Sequence, residues 1–370
     1  MSRTSKRVLI VAGESSGDIH GAELAHALRR HDPNVQLYSA GGERLAGVTQ
    51  QIMDLTVIAV TGLVSVIRDL PRILRLFDHL VKKIEEVDPD IVVLVDFPDF
   101  NLRLARKVRR KGRRIAYFIS PQLWAWRKGR IRIIKKFIDK MLVIFPFESA
   151  FYHRHGIDAV YVGNPLVNTM KALAAMPKSE TGTAKTVLLL PGSREREVRF
   201  HLEPMIGAAR LLRQSQPVRC VICKHPGLDA ALFASALAAE VEVTEQVDYS
   251  LFRQADIAIA ASGTVTFELA LLKVPTVVIY RLDHLSFVIL RALVNIPYMA
   301  MVNLIMDKQV FPELLQYEAD PVRIAEEANK LLTDKALSER ISCDLQRFLE
   351  VMTPFDPARA SREVLALERD

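Results

Sequence analysis

Two successive series of short β-branched runs, each run followed by a helical stretch, constrain this chain more than any other feature. In the first series Val8 to Ala12, Ile91 to Val95, Ile115 to Ile119 and Met141 to Ile144 read as strands, with helices such as Gly21 to Arg30 and Asn101 to Lys111 between them. Runs this apolar leave no polar face, so they belong in parallel sheets covered on both sides by helices. The turn Val162-Gly163-Asn164-Pro165 closes the series. After a helical piece and the polar stretch Lys178 to Lys185, a second series runs through Thr186 to Leu190, Val218 to Cys223, Val241 to Val243, Ile257 to Ala260 and Thr276 to Tyr280. From Pro321 to Leu349 the apolar spacing is helical, predicting two helices on the outside. The boundary is placed near Gly163, giving domains 1–163 and 164–370. A length of 370 residues agrees with that division, at roughly 150 per domain.

Composition narrows the class of partner. Half the residues are hydrophobic and a quarter charged, with Gly and Pro scattered, which excludes collagen, coiled coil and disorder. Three cysteines rule out a disulfide scaffold, and the opening MSRTSKRVLIVAGESSGD is too short in its apolar run for a signal peptide, so a reducing cytoplasm is expected. No uncharged apolar run reaches ~18 residues, so no spanning helix is expected. Leu285 to Met306, interrupted by Arg291 and Pro297, reads as a buried or interfacial segment. Lys plus Arg (50) exceeds Asp plus Glu (43), a net charge of +7, which points to an anionic partner: nucleic acid, a phosphorylated metabolite or an acidic membrane surface.

The motifs sit where strands give way to helices. Gly13-Glu14-Ser15-Ser16-Gly17-Asp18 is a glycine-rich turn opening a helix, either a ligand turn or a plain βα turn capped by Asp18. Neither the dinucleotide fingerprint nor the phosphate loop of nucleoside-triphosphate enzymes is present. Asp96 ends an apolar strand and is left for general-base work if Asp99, just before a helix, caps it; on spacing alone, capping or solvation of both is the other reading. Ser120 to Arg127 holds both tryptophans and leads into Lys128, Arg130, Arg132, Lys135 and Lys136. That pairing fits a packed domain edge with a solvated basic face, or a membrane or phosphorylated-lipid surface; no nucleic-acid signature accompanies it. Pro191-Gly192-Ser193-Arg194 and Ala261-Ser262-Gly263-Thr264 each follow a strand and open a helix, which suits a diphosphate. Backbone N–H groups and Arg194 would bind it, and Glu268, one turn on, would accept from ribose hydroxyls. Cys220 and Cys223 lie three apart on a strand with no second ligand pair and read as buried structural thiols.

Taken in order, VAGESSGDIHG, VDFPDFN, SPQLWAWR, FPFE, VGNP, LLPGSRxxE, ASGTVTFE and the Val302-Asn303-Leu304 segment closely resemble the lipid A disaccharide synthase family over nearly the whole chain. PGSR is widespread among nucleotide-sugar glycosyltransferases, whereas SPQLWAWR together with GESSGD is specific. Two departures stand out: Phe97, where the family often has a smaller residue, and Asn164-Pro165, where a histidine-containing form is commoner.

The resemblance implies a GT-B fold of two Rossmann-like domains facing across a cleft, the C-terminal one holding the nucleotide. It implies inverting transfer of 2,3-diacylglucosamine from UDP to 2,3-diacylglucosamine 1-phosphate (lipid X), giving the β-1,6 disaccharide and UDP, without metal or other cofactor. Asp96 matches the family's catalytic aspartate, with Glu14 a second carboxylate. UDP is expected at Gly192, Ser193, Arg194, Ser262, Gly263, Thr264 and Glu268, with Asn303 nearby. A peripheral place on the cytoplasmic leaflet of the inner membrane is expected through Leu63, Val64, Val66, Ile67 and Leu70 with Arg68 and Arg72, and a homodimer is allowed. The rival readings are a UDP-N-acetylglucosamine epimerase or peptidoglycan glycosyltransferase on the same fold, and a non-catalytic protein binding anionic lipid or nucleic acid.

Overall fold

The computed structural model describes residues 5–55, 66–109, 112–125, 128–174, 184–245, 249–294 and 296–368. It divides into two units: residues up to Pro165 together with those from Pro354 onward, and Leu166–Thr353.

In the first unit the strands are β1 (Arg7–Ala12), β2 (Gln36–Gly41), β3 (Gln50–Asp54), β4 (Ile91–Val95), β5 (Arg114–Phe118), β6 (Lys140–Val143) and β7 (Ala159–Tyr161). Their order in the sheet is β3-β2-β1-β4-β5-β6-β7, every pairing parallel. Alternate residues feed opposite cores. Leu9, Val11, Val92 and Leu94 join one cluster, and Val8, Ile10, Val93 and Val95 the other. That two-sided burial is why these strands read as unbroken apolar runs. The winding direction reverses between β1 and β4, and in open α/β sheets the crevice for ligands lies at such a point, beyond the carboxyl ends of the strands.

The second unit repeats the plan with β8 (Lys185–Leu190), β9 (Val218–Cys223), β10 (Glu242–Thr244), β11 (Ile257–Ala261), β12 (Thr276–Tyr280) and β13 (Glu313–Leu315). The order β10-β9-β8-β11-β12-β13 puts its reversal between β8 and β11. Cys220 and Cys223 are both buried in β9, as their strand position requires.

The boundary read at Gly163 lies two residues from the observed division, but the assignment of everything after it to one domain needs correction. Helices Pro321–Thr333 and Lys335–Val351 stay with the second unit, whereas the chain from Pro354 packs on the first. Phe355 stacks on Phe118 with centroids 5.2 Å apart, and Lys140 pairs with Glu363 at 3.1 Å on the helix Pro357–Leu365. Gly163 adopts φ +79° and lies so close to Pro354 that a Cβ would overlap its carbonyl, so only glycine fits this crossing.

Candidate active site

At the reversal of the first sheet, the turn after β1 meets the turn after β4. Gly13 is obligatory there: an added Cβ would come within 2.4 Å of the Phe97 ring. Asp96 and Phe97 both take φ 46°, the left-handed region that ordinary side chains rarely enter, and such strain gathers at functional sites. The conformation is held by four hydrogen bonds. Asp96 N–H donates to Phe118 O (2.9 Å), while Asp96 O accepts from Tyr117 Oη (2.6 Å) and from Asn101 Nδ2 (2.7 Å), which also reaches Val95 O (3.1 Å). With its main chain fully engaged, the backbone from which the Asp96 carboxyl projects is fixed in place. Burial raises its pKa to about 6, and the nearby Glu14 carboxylate adds to the rise. A half-buried carboxylate poised near neutrality suits proton transfer.

Glu14 is exposed at the N-terminal end of the helix Ser15–His31. The two capping expectations in this region are not met. Asp18 lies inside that helix, and its carboxylate instead accepts N–H bonds from Gly42 (2.7 Å), Arg44 (2.9 Å) and Leu45 (3.3 Å), capping the short helix Glu43–Ala46. The N-cap of the helix Pro98–Val108 is Phe97, and Asp99, in its first turn, pairs with Arg130.

Beside Asp96, Glu148 organises the SPQLW and FPFE segments. Its buried carboxylate accepts from Ser120 Oγ (2.6 Å), Trp124 Nε1 (3.2 Å) and Phe145 N (3.0 Å). Trp124 is therefore a buttress of this loop, and Trp126 lies outside the described residues.

At the reversal of the second sheet, the turns after β8 and β11 stand side by side. Gly192, at φ +122°, opens the helix Glu195–Ser215, and Glu197 reaches back over it: Ser193 N–H (3.1 Å), Arg194 N–H (3.3 Å) and Arg194 Nη1 (3.1 Å) all donate to its carboxylate. These donors already hold a carboxylate, the charge and shape a phosphate oxygen pair would offer. The Arg194 side chain is 81% exposed and able to move. In the neighbouring turn, Ser262 N–H continues the sheet to Ile279 O (2.9 Å), and Gly263 stands in open space before the helix Thr264–Leu271, whose first N–H groups lack intrahelical partners. Glu268, on that helix, accepts from Tyr249 Oη (3.2 Å), and burial raises its pKa.

Asn303 does not join this group. It is fully buried, donating from Nδ2 to Phe311 O (2.8 Å) and Glu313 Oε1 (2.7 Å) and accepting at Oδ1 from Val310 and Phe311 N–H (both 2.8 Å), so it ties the 303–313 segment together and has no polar atom left for a ligand. His201 was not singled out in the sequence. Buried on the long helix, it bonds Pro191 O through Nδ1 (3.0 Å) and accepts Arg281 N–H at Nε2 (2.9 Å), which fixes the neutral tautomer and joins the turn after β8 to the segment after β12. Of the residues expected at a membrane, Leu63 and Val64 lie outside the described residues. Val66, Ile67, Arg68, Leu70 and Arg72 fall in the first turns of the helix Val66–Val87, with their side chains outside the description.

Two Rossmann-like units, one with a shielded carboxylate at its switch point and the other with paired helix-opening anion turns, define the fold shared by GT-B glycosyltransferases and nucleotide-sugar epimerases. Solved structures agree on the fold. A UDP-GlcNAc 2-epimerase from Neisseria meningitidis matches with a TM-score of 0.60 at 14% identity, over 97% of this chain and 98% of that one. A calicheamicin glycosyltransferase matches with a TM-score of 0.59 at 16% identity, over 98% of each. Sequence is more specific: the family model for lipid-A-disaccharide synthetase matches residues 8–362. Lipid-A-disaccharide synthases of Syntrophus aciditrophicus and Anaeromyxobacter dehalogenans are 40% and 37% identical, covering 91% and 99% of this chain and 92% and 99% of theirs. The chain belongs to the lipid-A-disaccharide synthetase family, and with it to the glycosyltransferases that form the lipid A disaccharide.

Proposed function

We propose that this enzyme transfers 2,3-diacylglucosamine from UDP to lipid X with inversion. The observation that carries the reading is Asp96: a carboxyl raised to about 6, locked by its main chain at the switch point of the first sheet. In this reading Asp96 takes the proton of the acceptor's primary hydroxyl as that oxygen bonds to the anomeric carbon. The bond from that carbon to the diphosphate oxygen breaks from the opposite face, and UDP leaves with the electron pair. The leaving diphosphate lies on the turns at 192–194 and 262–264, where it takes the place of the Glu197 carboxylate and helix N-termini and Arg194 stabilise its charge. Glu268 accepts from the ribose, and Glu14 adds to the rise that burial gives the Asp96 pKa.

The test is UDP release from UDP-2,3-diacylglucosamine, which requires added lipid X on this reading. Release without lipid X, or formation of an epimerised UDP-sugar, contradicts it. Arg194→Ala is expected to weaken UDP binding about ten- to hundredfold, the loss of one charge-assisted phosphate contact, measurable by calorimetry. Affinity equal to that of the wild type would move the diphosphate elsewhere.

Membrane docking belongs to the same reading. No described helix is long and apolar enough to cross a membrane. The apolar and arginine-bearing composition of 62–77 suits an interfacial segment meeting anionic headgroups. Val64→Glu with Ile67→Glu is expected to move the protein from membrane to soluble fractions while it stays folded; a variant recovered only unfolded would assign the segment to the core.

A further inference from the structure

A cavity of about 910 Å³ opens in the second unit where β12 and β13 end, a size typical of sites for small organic ligands. Tyr280, Phe287, Val288, Ile296, Tyr298 and Leu315 give it an apolar wall. Several of the polar side chains along it are already engaged, while Arg291 and Glu318 also line it. Glu313 accepts from Met299 and Ala300 N–H (both 2.9 Å), Gln316 bonds both backbone groups of Leu282 (2.7 and 3.0 Å), and Tyr317 Oη meets His284 Nδ1 (3.1 Å). Beside these, the cavity offers an occupant hydrocarbon surface, including Val288, which is 51% exposed.

The position of the cavity says which hydrocarbon. Ser262 Oγ, in the turn assigned to the diphosphate, donates to the carbonyl of Met299, a cavity-lining residue, at 3.4 Å. In the sheet, β12 is the immediate neighbour of β11, one strand spacing of about 4.8 Å from the switch point. A ligand held by its diphosphate at that switch point therefore has an apolar cavity within reach of the group the diphosphate carries.

We propose that this cavity binds an acyl chain of the UDP-linked donor. The inference rests on the donor assignment above and adds to it a subsite that selects for chain length. Burying a methylene is worth about fourfold in affinity, so shortening the chain removes binding stepwise.

The test varies donor and acceptor chains separately, at saturating partner, in the wild type and in two variants outside the catalytic machinery. Val288→Asp places a charge on the exposed wall, and Ile296→Trp fills the space without charge. The wild-type KM for donor is expected to rise several-fold with each methylene removed from the donor. Both variants are expected to raise KM for the full-length donor at least tenfold, to lose most of this chain-length dependence, and to bind UDP as the wild type does. Ile296→Trp preserves the test if Val288→Asp does not fold. A wild-type KM indifferent to donor length, a dependence on acceptor length alone, or variants that keep the wild-type dependence would overturn the subsite while leaving the transferase reading intact. Failure of the wild type to release UDP with lipid X would overturn both.

Discussion

Asp96→Asn is expected to lose about 10² to 10⁴ in turnover, the usual effect of removing a general base, while UDP affinity stays at its wild-type value. The substitution is isosteric, and asparagine tolerates the left-handed backbone that Asp96 adopts at φ 46°, so the contacts from Tyr117, Asn101 and Phe118 survive. A loss of rate therefore reports on the carboxylate and not on the turn. The pH profile gives a second readout. A base with its pKa raised to about 6 must be deprotonated to act, so kcat/KM should climb with pH to about 6 and then level off. Glu14→Gln removes a like charge, which eases ionisation of Asp96 and should shift that limb to lower pH. Near-normal turnover in Asp96→Asn would assign the base to another residue.

Glu148→Ala is expected to cost about 3–5 kcal/mol in the first unit, because it strands the buried donors on Ser120 and Phe145 and the half-buried one on Trp124 at once. The unfolding midpoint of that unit should fall by on the order of 10 °C. The pH dependence has a definite sign. Burial outweighs the hydrogen bonds to the carboxylate and raises Glu148 from the ordinary 4.5 to about 7. The folded state thus binds this proton more tightly than the unfolded state does. The contribution is fully present below about 4.5 and is lost as pH rises through about 7. In Glu148→Ala that slope should vanish. Turnover should fall in the same variant, since the loop it disorders lies beside the Asp96 turn. Unchanged stability would mean that the three donors find other partners.

Which parts of this architecture were legible depends on how local their causes are. Ile91–Val95 and Thr276–Tyr280 match the observed β4 and β12 end to end, because a strand buried on both faces writes its length as an apolar run. Strands at or next to a sheet edge do not: Gln50–Asp54 at the edge and its neighbour Gln36–Gly41 carry polar residues and left no such run, and the edge strand Glu313–Leu315 is too short to leave one. The turns at Gly13, Asp96, Gly192 and Ser262 were readable because a strand, a small residue and a helix start are adjacent in sequence. Roles set by distant partners were not. Asp18 and Asp99 read as caps of their own helices, yet their partners lie 24 to 31 residues away, at Gly42 and Arg130. His201 acts through Arg281, 80 residues on, and a histidine among the charges of a long helix gives no sign of that. Asn303 sits in a family-like segment, which drew it toward the nucleotide, while its own hydrogen bonds close on the 303–313 segment. The last helix returns to the first unit across Gly163, a pairing visible only once Pro354 is placed against it.

The central claim is an inverting transfer from an α-linked UDP-sugar to the primary hydroxyl of lipid X, and the anomeric configuration of the product tests it most directly. The enzyme would be supplied with UDP-2,3-diacylglucosamine labelled with ¹³C at the anomeric carbon and with lipid X, and the product examined by NMR for its one-bond coupling and linkage position. The account predicts a β-1,6-linked disaccharide 1-phosphate formed in equal amount with UDP. An α-linked product, or UDP appearing with free sugar and no disaccharide, would contradict it.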